Sequence, residues 1–166
     1  MDTIKIIEKE VINCINCRLY KKAIHGVPGE GPEDAKVFFI GKAPGATEDK
    51  TGHPFVGRAG QYLTRMIEEI GLNRSEVFIT SVLKHFPPGN REPKKDEIAA
   101  CKPYLLRQLA VIKPKIIVLL GKTAESIKNE IKGAKIITTV HPSAAMRFPK
   151  MAAQMKKDFQ KLKQLL

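Results

Sequence analysis

Two groups of residues in this chain have the types and spacing to do chemistry. One is the run Gly41 to Gly60, in which glycines permit close backbone approach, Glu48 supplies a carboxylate, Phe55 a ring, and Lys42, Lys50 and Arg58 positive charge. That mixture suits a pocket for a flat, polar ligand carried on an anionic backbone. The other is Cys14-Ile15-Asn16-Cys17, half of a metal site, which His85 and Cys101 complete if the fold brings them together. Three thiolates and one imidazole make a structural zinc site. The same set suits an iron-sulfur cluster in which histidine replaces one thiolate. Gly121-Lys122-Thr123 invites a phosphate-loop reading, but the glycine required five residues earlier is Ile116. The Gly41 to Gly60 run likewise lacks the dinucleotide spacing of glycines.

Apolar patterning shows what must position these groups. Lys36 to Gly41 reads as a buried strand feeding the glycine run, a long loop of the kind that carries function. A helix follows from Gln61 to Ile70, closed by Gly71. Val77 to Leu83 is a second strand, ending in Lys84-His85-Phe86-Pro87-Pro88-Gly89-Asn90-Arg91. A helix from about Lys94 to Ile112, kinked at Pro103, leads to a third strand, Ile116 to Gly121, whose unbroken apolarity implies burial on both faces. Lys122 to Ile131 reads as a short helix and Lys135 to Val140 as a fourth strand, ending at His141-Pro142-Ser143. At the termini, Asp2 can cap a helix bearing Ile4, Ile7 and Val11, while Met151, Met155, Phe159, Leu162 and Leu166 mark the docking face of a final helix.

Alternating strands and helices predict an α/β fold: a three-layer αβα sandwich around a four-stranded, mainly parallel sheet, as a single domain spanning residues 1–166. In such sheets ligands sit outside the carboxyl ends of the strands. The glycine run, the Lys84 to Arg91 segment, Gly121-Lys122 and His141-Pro142-Ser143 all follow strands directly, so they converge on one rim.

Composition narrows the partner. Lys and Arg number 29 against 17 Asp and Glu, a net charge of +12 and a pI near 9.7, which points to a polyanion. With no Trp and 6% aromatics, wide stacking platforms for single strands are not expected. Three cysteines argue against a disulfide framework, and no stretch reaches the ~20 apolar residues that cross a bilayer, so a cytoplasmic protein without a membrane partner is expected.

Several blocks together carry a resemblance. Gly41-x-Ala43-Pro44-Gly45, Thr51-Gly52-x-Pro54-Phe55-Val56-Gly57-Arg58-Ala59-Gly60, Pro87-Pro88-Gly89-Asn90-Arg91 and His141-Pro142-Ser143-x-x-Met146-Arg147 occur in the order of the iron-sulfur uracil-DNA glycosylases of family 4, the thermophile type. The chain resembles that family from Cys14 to about Arg147. The resemblance implies a base-excision repair enzyme of prokaryote-like setting, a monomer, that flips uracil or another deaminated base from DNA and hydrolyses its bond to deoxyribose. Carried over, Phe55 would stack on the base within a pocket that includes Gly41, Ala43 and position 81. Glu48 would lie beside the sugar, and His141 would donate to the base as it becomes anionic. Pro87, Pro88, Gly89, Asn90 and Ser143 would hold phosphates, and Met146 and Arg147 would sit in the loop that wedges into the duplex. A [4Fe-4S] cluster would be bound by Cys14, Cys17 and Cys101, with His85 where the family usually has a cysteine; structural zinc is the alternative.

Three departures qualify this. Lys42 stands where the family has glutamate, Ser81 where it has a base-reading asparagine, and a hairpin between the third and fourth strands is missing. Lys42 could favour the leaving anion, neutralise Glu48, or attack the sugar carbon to form a Schiff base. Ser81 offers a single hydroxyl in place of an amide, which predicts broader base selection. The alternative is a catalytically weak module that recognises damaged DNA without cutting it.

Overall fold

The computed structural model describes residues 1–166. Four short strands, β1 (Val37–Gly41), β2 (Phe78–Ser81), β3 (Ile116–Leu120) and β4 (Lys135–Thr139), pair in the order β2-β1-β3-β4 and are parallel throughout. The helices are α1 (Ile4–Ile12), α2 (Ala46–Thr51), α3 (Arg58–Glu69), α4 (Lys95–Ile112), α5 (Lys122–Glu125), α6 (Pro142–Arg147) and α7 (Pro149–Leu165).

Side chains alternate across a strand, so each face of the sheet builds its own core. Val37 and Phe39 of β1 join Leu63, Met66 and Ile67 of α3 and Met155, Phe159 and Leu162 of α7. Phe38 and Ile40 point the other way, toward Leu105 and Ile112 of α4 and Ala124 of α5. Stacked rings tie sheet to helix, Phe39 of β1 to Phe159 of α7 at 6.0 Å, and strand to strand, Phe38 of β1 to Phe78 of β2 at 4.9 Å. Helices therefore cover both faces, as the pattern predicts.

The departures from expectation are local. Thr3, not Asp2, caps α1: its hydroxyl accepts the Ile6 N–H at 3.1 Å, whereas Asp2 accepts from Arg107 on α4 at 2.8 and 2.9 Å. The loop after β1 contains α2, which has no apolar stripe and so leaves no periodic trace. The segment Lys122 to Ile131 breaks into α5 and a 3-10 turn, Lys128–Glu130. Pro103 sits inside α4, which continues as one helix. A further helix, α6, starts directly after β4, making His141 its N-cap. On α7 Leu166 is exposed and Met151 half-buried, so the docking face is narrower than the apolar stripe. No hairpin separates β3 from β4, in keeping with the expected loss.

Candidate active site

Where β1 and β2 end side by side, with Gly41 paired to Ser81, the chain leaves the sheet and forms a pocket of about 160 Å³. Its floor is Phe55. Gly41 is glycine for a steric reason: a Cβ there would lie 2.4 Å from Phe55 Cζ. Gly60 on α3 is equally constrained, since its Cβ would fall 2.0 Å from the Phe55 carbonyl carbon and oxygen. Phe55 is also one of three non-glycine residues with positive φ, at 48°, and its ring centroid lies 6.0 Å from that of His141.

Glu48 lines the same pocket from the first turn of α2. Its Oε1 accepts the Gly45 N–H at 2.9 Å, and its Oε2 accepts those of Val56 and Gly57 at 2.9 and 2.6 Å. The carboxylate therefore pins the turn that follows Phe55 to the start of α2. The helix N-terminus favours its charge.

His141 enters from the end of β4. The Ser143 N–H donates to its Nδ1 at 3.1 Å, and the Ser143 hydroxyl lies 2.8 Å from the same nitrogen. With Nδ1 accepting, the neutral ring carries its proton on Nε2, free to donate. Burial, and then the nearby Lys42 charge, hold its pKa down to about 4, so the imidazole is neutral at physiological pH.

Lys42 reaches the rim, where its Nζ pairs with Glu92 Oε1 at 2.8 Å. It is an ion-paired, partly solvated amine, not the desolvated one that a nucleophilic lysine must be. Ala43, Ser81, Asn90 and Ser143 also line the pocket. Pro87, Pro88 and Gly89 do not; they form the adjoining segment, whose 3-10 turn is Pro88–Asn90 and whose Asn90 has φ of 57°. That segment is anchored by Arg91, which donates to buried Glu97 at 2.8 and 2.7 Å. Met146 and Arg147 lie outside the pocket, exposed at the end of α6 beside exposed Phe148.

The model of the Uracil DNA glycosylase superfamily matches residues 28–165. The chain is 43% identical to the type-4 uracil-DNA glycosylase of Sulfurisphaera tokodaii, over 99% of this chain and 86% of that one. It is 44% identical to that of Saccharolobus solfataricus, over 100% and 88%, and 38% identical to that of Archaeoglobus fulgidus, over 99% and 94%. The chain belongs to the uracil-DNA glycosylase superfamily and, within it, to the type-4 group. The first two alignments run to 188 and 189 positions against 166 residues here, so those type-4 relatives carry residues that this chain lacks.

The four expected metal ligands do not form one closed cluster. No group of three or more Cys, His, Asp or Glu side chains is arranged to hold an ion. The expected ligands nevertheless gather as two pairs around α4. Cys17 and Cys101 are close enough to share a proton, an interaction that lowers the Cys17 pKa and raises that of Cys101, and the Cys101 Sγ also accepts the Lys84 N–H at 3.4 Å. Cys14 accepts the Asn16 N–H at 3.5 Å and lines a cavity together with His85. The buried Nδ1 of His85 has no hydrogen-bond partner, and burial lowers the ring's pKa. A thiolate-prone cysteine and a buried imidazole nitrogen without a partner are the donor chemistry that a thiolate-bound metal group requires.

Sequence reasoning missed two positions. Arg74, on the 3-10 turn Arg74–Glu76, donates to the carbonyls of Pro54 and Phe55 behind the pocket. Lys84 is fully buried, its ammonium donating to Thr80 Oγ1 at 2.6 Å, Gln108 Oε1 at 2.8 Å and the Ser81 carbonyl at 3.0 Å, and burial takes its pKa down to about 7. A single arginine in a surface-patterned turn, and a lysine after a strand, carry no local signal of either role.

Proposed function

We propose that this chain excises uracil, or a related deaminated base, from DNA by hydrolysing the N-glycosidic bond, as a monofunctional base-excision repair enzyme. The single observation that carries the reading is that Phe55 and Glu48, from the run after β1, and His141, from the end of β4, share one pocket. Cleavage leaves an anionic pyrimidine and a cationic sugar, and those three groups suit a flat base, a cation and an anion respectively.

A base inside a duplex is unreachable, so it must be extruded, at a cost of a few kcal/mol that is smallest for mismatched bases. Cationic side chains on the phosphates offset that cost without reading sequence. Ser143 and Asn90, which line the pocket, the adjoining Pro87 to Gly89 segment and Arg147 are assigned to the DNA backbone, with Met146 at the duplex. In the pocket the base stacks on Phe55. The Nε2 proton of neutral His141 donates to the carbonyl on which charge develops. Glu48 keeps its charge beside the sugar and stabilises the cation at a distance, because swinging either oxygen toward a water breaks a backbone hydrogen bond. Lys42 adds a positive charge at the base side.

Cys14, Cys17, His85 and Cys101 are assigned as the holders of a [4Fe-4S] cluster, or of zinc if the thiols close on a smaller ion. Bound there, the group would supply a cross-link between the segment after α1, the end of β2 and α4.

Incubating the purified protein with duplexes bearing uracil, hypoxanthine, xanthine or thymine opposite guanine, and counting abasic sites, tests the reading. Uracil release with some activity on the other deaminated bases is expected, since Ser81 replaces the selective amide. Binding without abasic sites on any substrate would refute it, and a Lys42-dependent adduct trapped by borohydride would refute the monofunctional assignment.

A further inference from the structure

Phe55 is held by a residue that never enters the pocket. Its φ of 48° is a left-handed conformation that an ordinary residue keeps only where surrounding contacts over-determine it. Upstream, Arg74 Nη1 donates to the Phe55 carbonyl at 2.5 Å and to Thr64 Oγ1 at 3.0 Å, while Nη2 donates to the Pro54 carbonyl. Downstream, Glu48 takes the N–H groups of Val56 and Gly57. Four consecutive residues are thus gripped, two by their carbonyls and two by their amides. Gly60 and Gly41 close the remaining directions, one against the backbone of Phe55 and the other against its ring. A planar guanidinium forks across two neighbouring carbonyls; an ammonium holds one. Arg74 is absent from the pocket lining, so whatever it does for a ligand it does through Phe55.

We infer that Arg74 is a positioning residue: its fork across the Pro54 and Phe55 carbonyls, opposed by the Glu48 grip on Val56 and Gly57, fixes the ring on which the extruded base stacks. The inference rests on the reading of Phe55 as the stacking platform. A ring released from this clamp relaxes toward ordinary negative φ and leaves the plane the base needs.

The test compares the full chain with R74A, R74K, F55A and F55A/R74A, reading inhibition by free uracil, the single-turnover excision rate and the thermal midpoint. Loss of an aligned stacking partner predicts roughly tenfold weaker uracil inhibition in R74A. Misplacement of the base by about 1 Å predicts up to about a hundredfold slower excision. R74K keeps one bond and should recover part of both losses. In the F55A background, R74A should change uracil inhibition by less than about twofold, because positions that act through one another do not add. Full additivity in the double variant overturns the inference, as does R74K with full uracil affinity and only a lower midpoint. Should R74A not fold, R74K and F55A/R74K carry the same comparison. If F55A leaves uracil inhibition unchanged, the stacking reading itself fails and takes the inference with it, a result distinct from additivity.

Discussion

Glu48 has two possible duties, and a glutamine there separates them. The carboxylate accepts three backbone N–H groups, from Gly45, Val56 and Gly57, at 2.9, 2.9 and 2.6 Å. An amide has one accepting oxygen. Turned toward Val56 and Gly57, it presents an NH2 group to the Gly45 N–H; turned the other way, it loses both downstream bonds. A hydrogen bond to a charged group contributes about 1.5–3 kcal/mol, so losing one and weakening two should cost about 3 kcal/mol. For a chain of this size that is a fall of roughly 6–12 °C in melting midpoint. Thermal unfolding followed by circular dichroism gives the midpoint, and single-turnover excision well below it gives the rate. Both should fall in Glu48→Gln, because the turn carrying Phe55 loosens as the sugar-side charge disappears. An unchanged midpoint with a lost rate would refute the argument, since it would mean that the carboxylate is free to serve chemistry alone.

Gly41→Ala should slow excision by up to about a hundredfold, because the new Cβ, 2.4 Å from Phe55 Cζ, must push the ring by about 1 Å; a structure with an unmoved ring and a normal rate would contradict this. His141 should stay neutral from pH 8 down to about 5, giving a rate free of its titration there and a loss as pH approaches 4. Its folded pKa lies below the unfolded value, so the linked stability is complete above pH 6.5 and is lost as pH falls toward 4, by at most about 3 kcal/mol given the ring's partial solvent contact. His141→Asn should flatten that part of the acid profile. Lys42→Gln should raise the His141 pKa, read by NMR of the ring protons, with less than about 1 kcal/mol of stability lost from the exposed Lys42–Glu92 pair. If a cluster is bound, protein purified without oxygen should be brown and contain iron; His85→Ala should lose metal and His85→Cys retain it, as measured by elemental analysis. A colourless protein containing zinc would select the other ion.

The fold was legible because its apolar runs are long enough to show their period and because each is followed by a turn or a helix. Phe38 and Phe39 could be placed in a buried strand from the run Val37 to Ile40, and the rim followed from the direction of parallel strands. What stayed hidden was held by polar contacts between distant residues. α2 is fixed by Glu48 and the glycines around it, not by an apolar stripe, and α1 is capped by Thr3 because Asp2 finds Arg107 more than a hundred residues away. Candidate pocket residues could be named from the motif blocks. Arg74 could not, because its two acceptors are backbone carbonyls, which any sequence supplies.

The same distinction explains why a strongly cationic protein can keep an anion at its reaction site. The chain carries a net charge of +12, yet the carboxylate in the pocket is compensated by three peptide N–H groups and not by a lysine. Amides stabilise a charge without cancelling it, so Glu48 still presents a negative field to a sugar cation. Lys42 does the reverse: paired to Glu92 outside, it is not spent on Glu48, and its field helps to keep His141 neutral and able to donate. On the proposed reading, lysine where the resemblance expects glutamate at position 42 would leave the pocket competent. On that reading it would put positive charge on the side where a departing base becomes an anion, while Glu48, held by three backbone N–H groups and not by a cation, would remain for the sugar side.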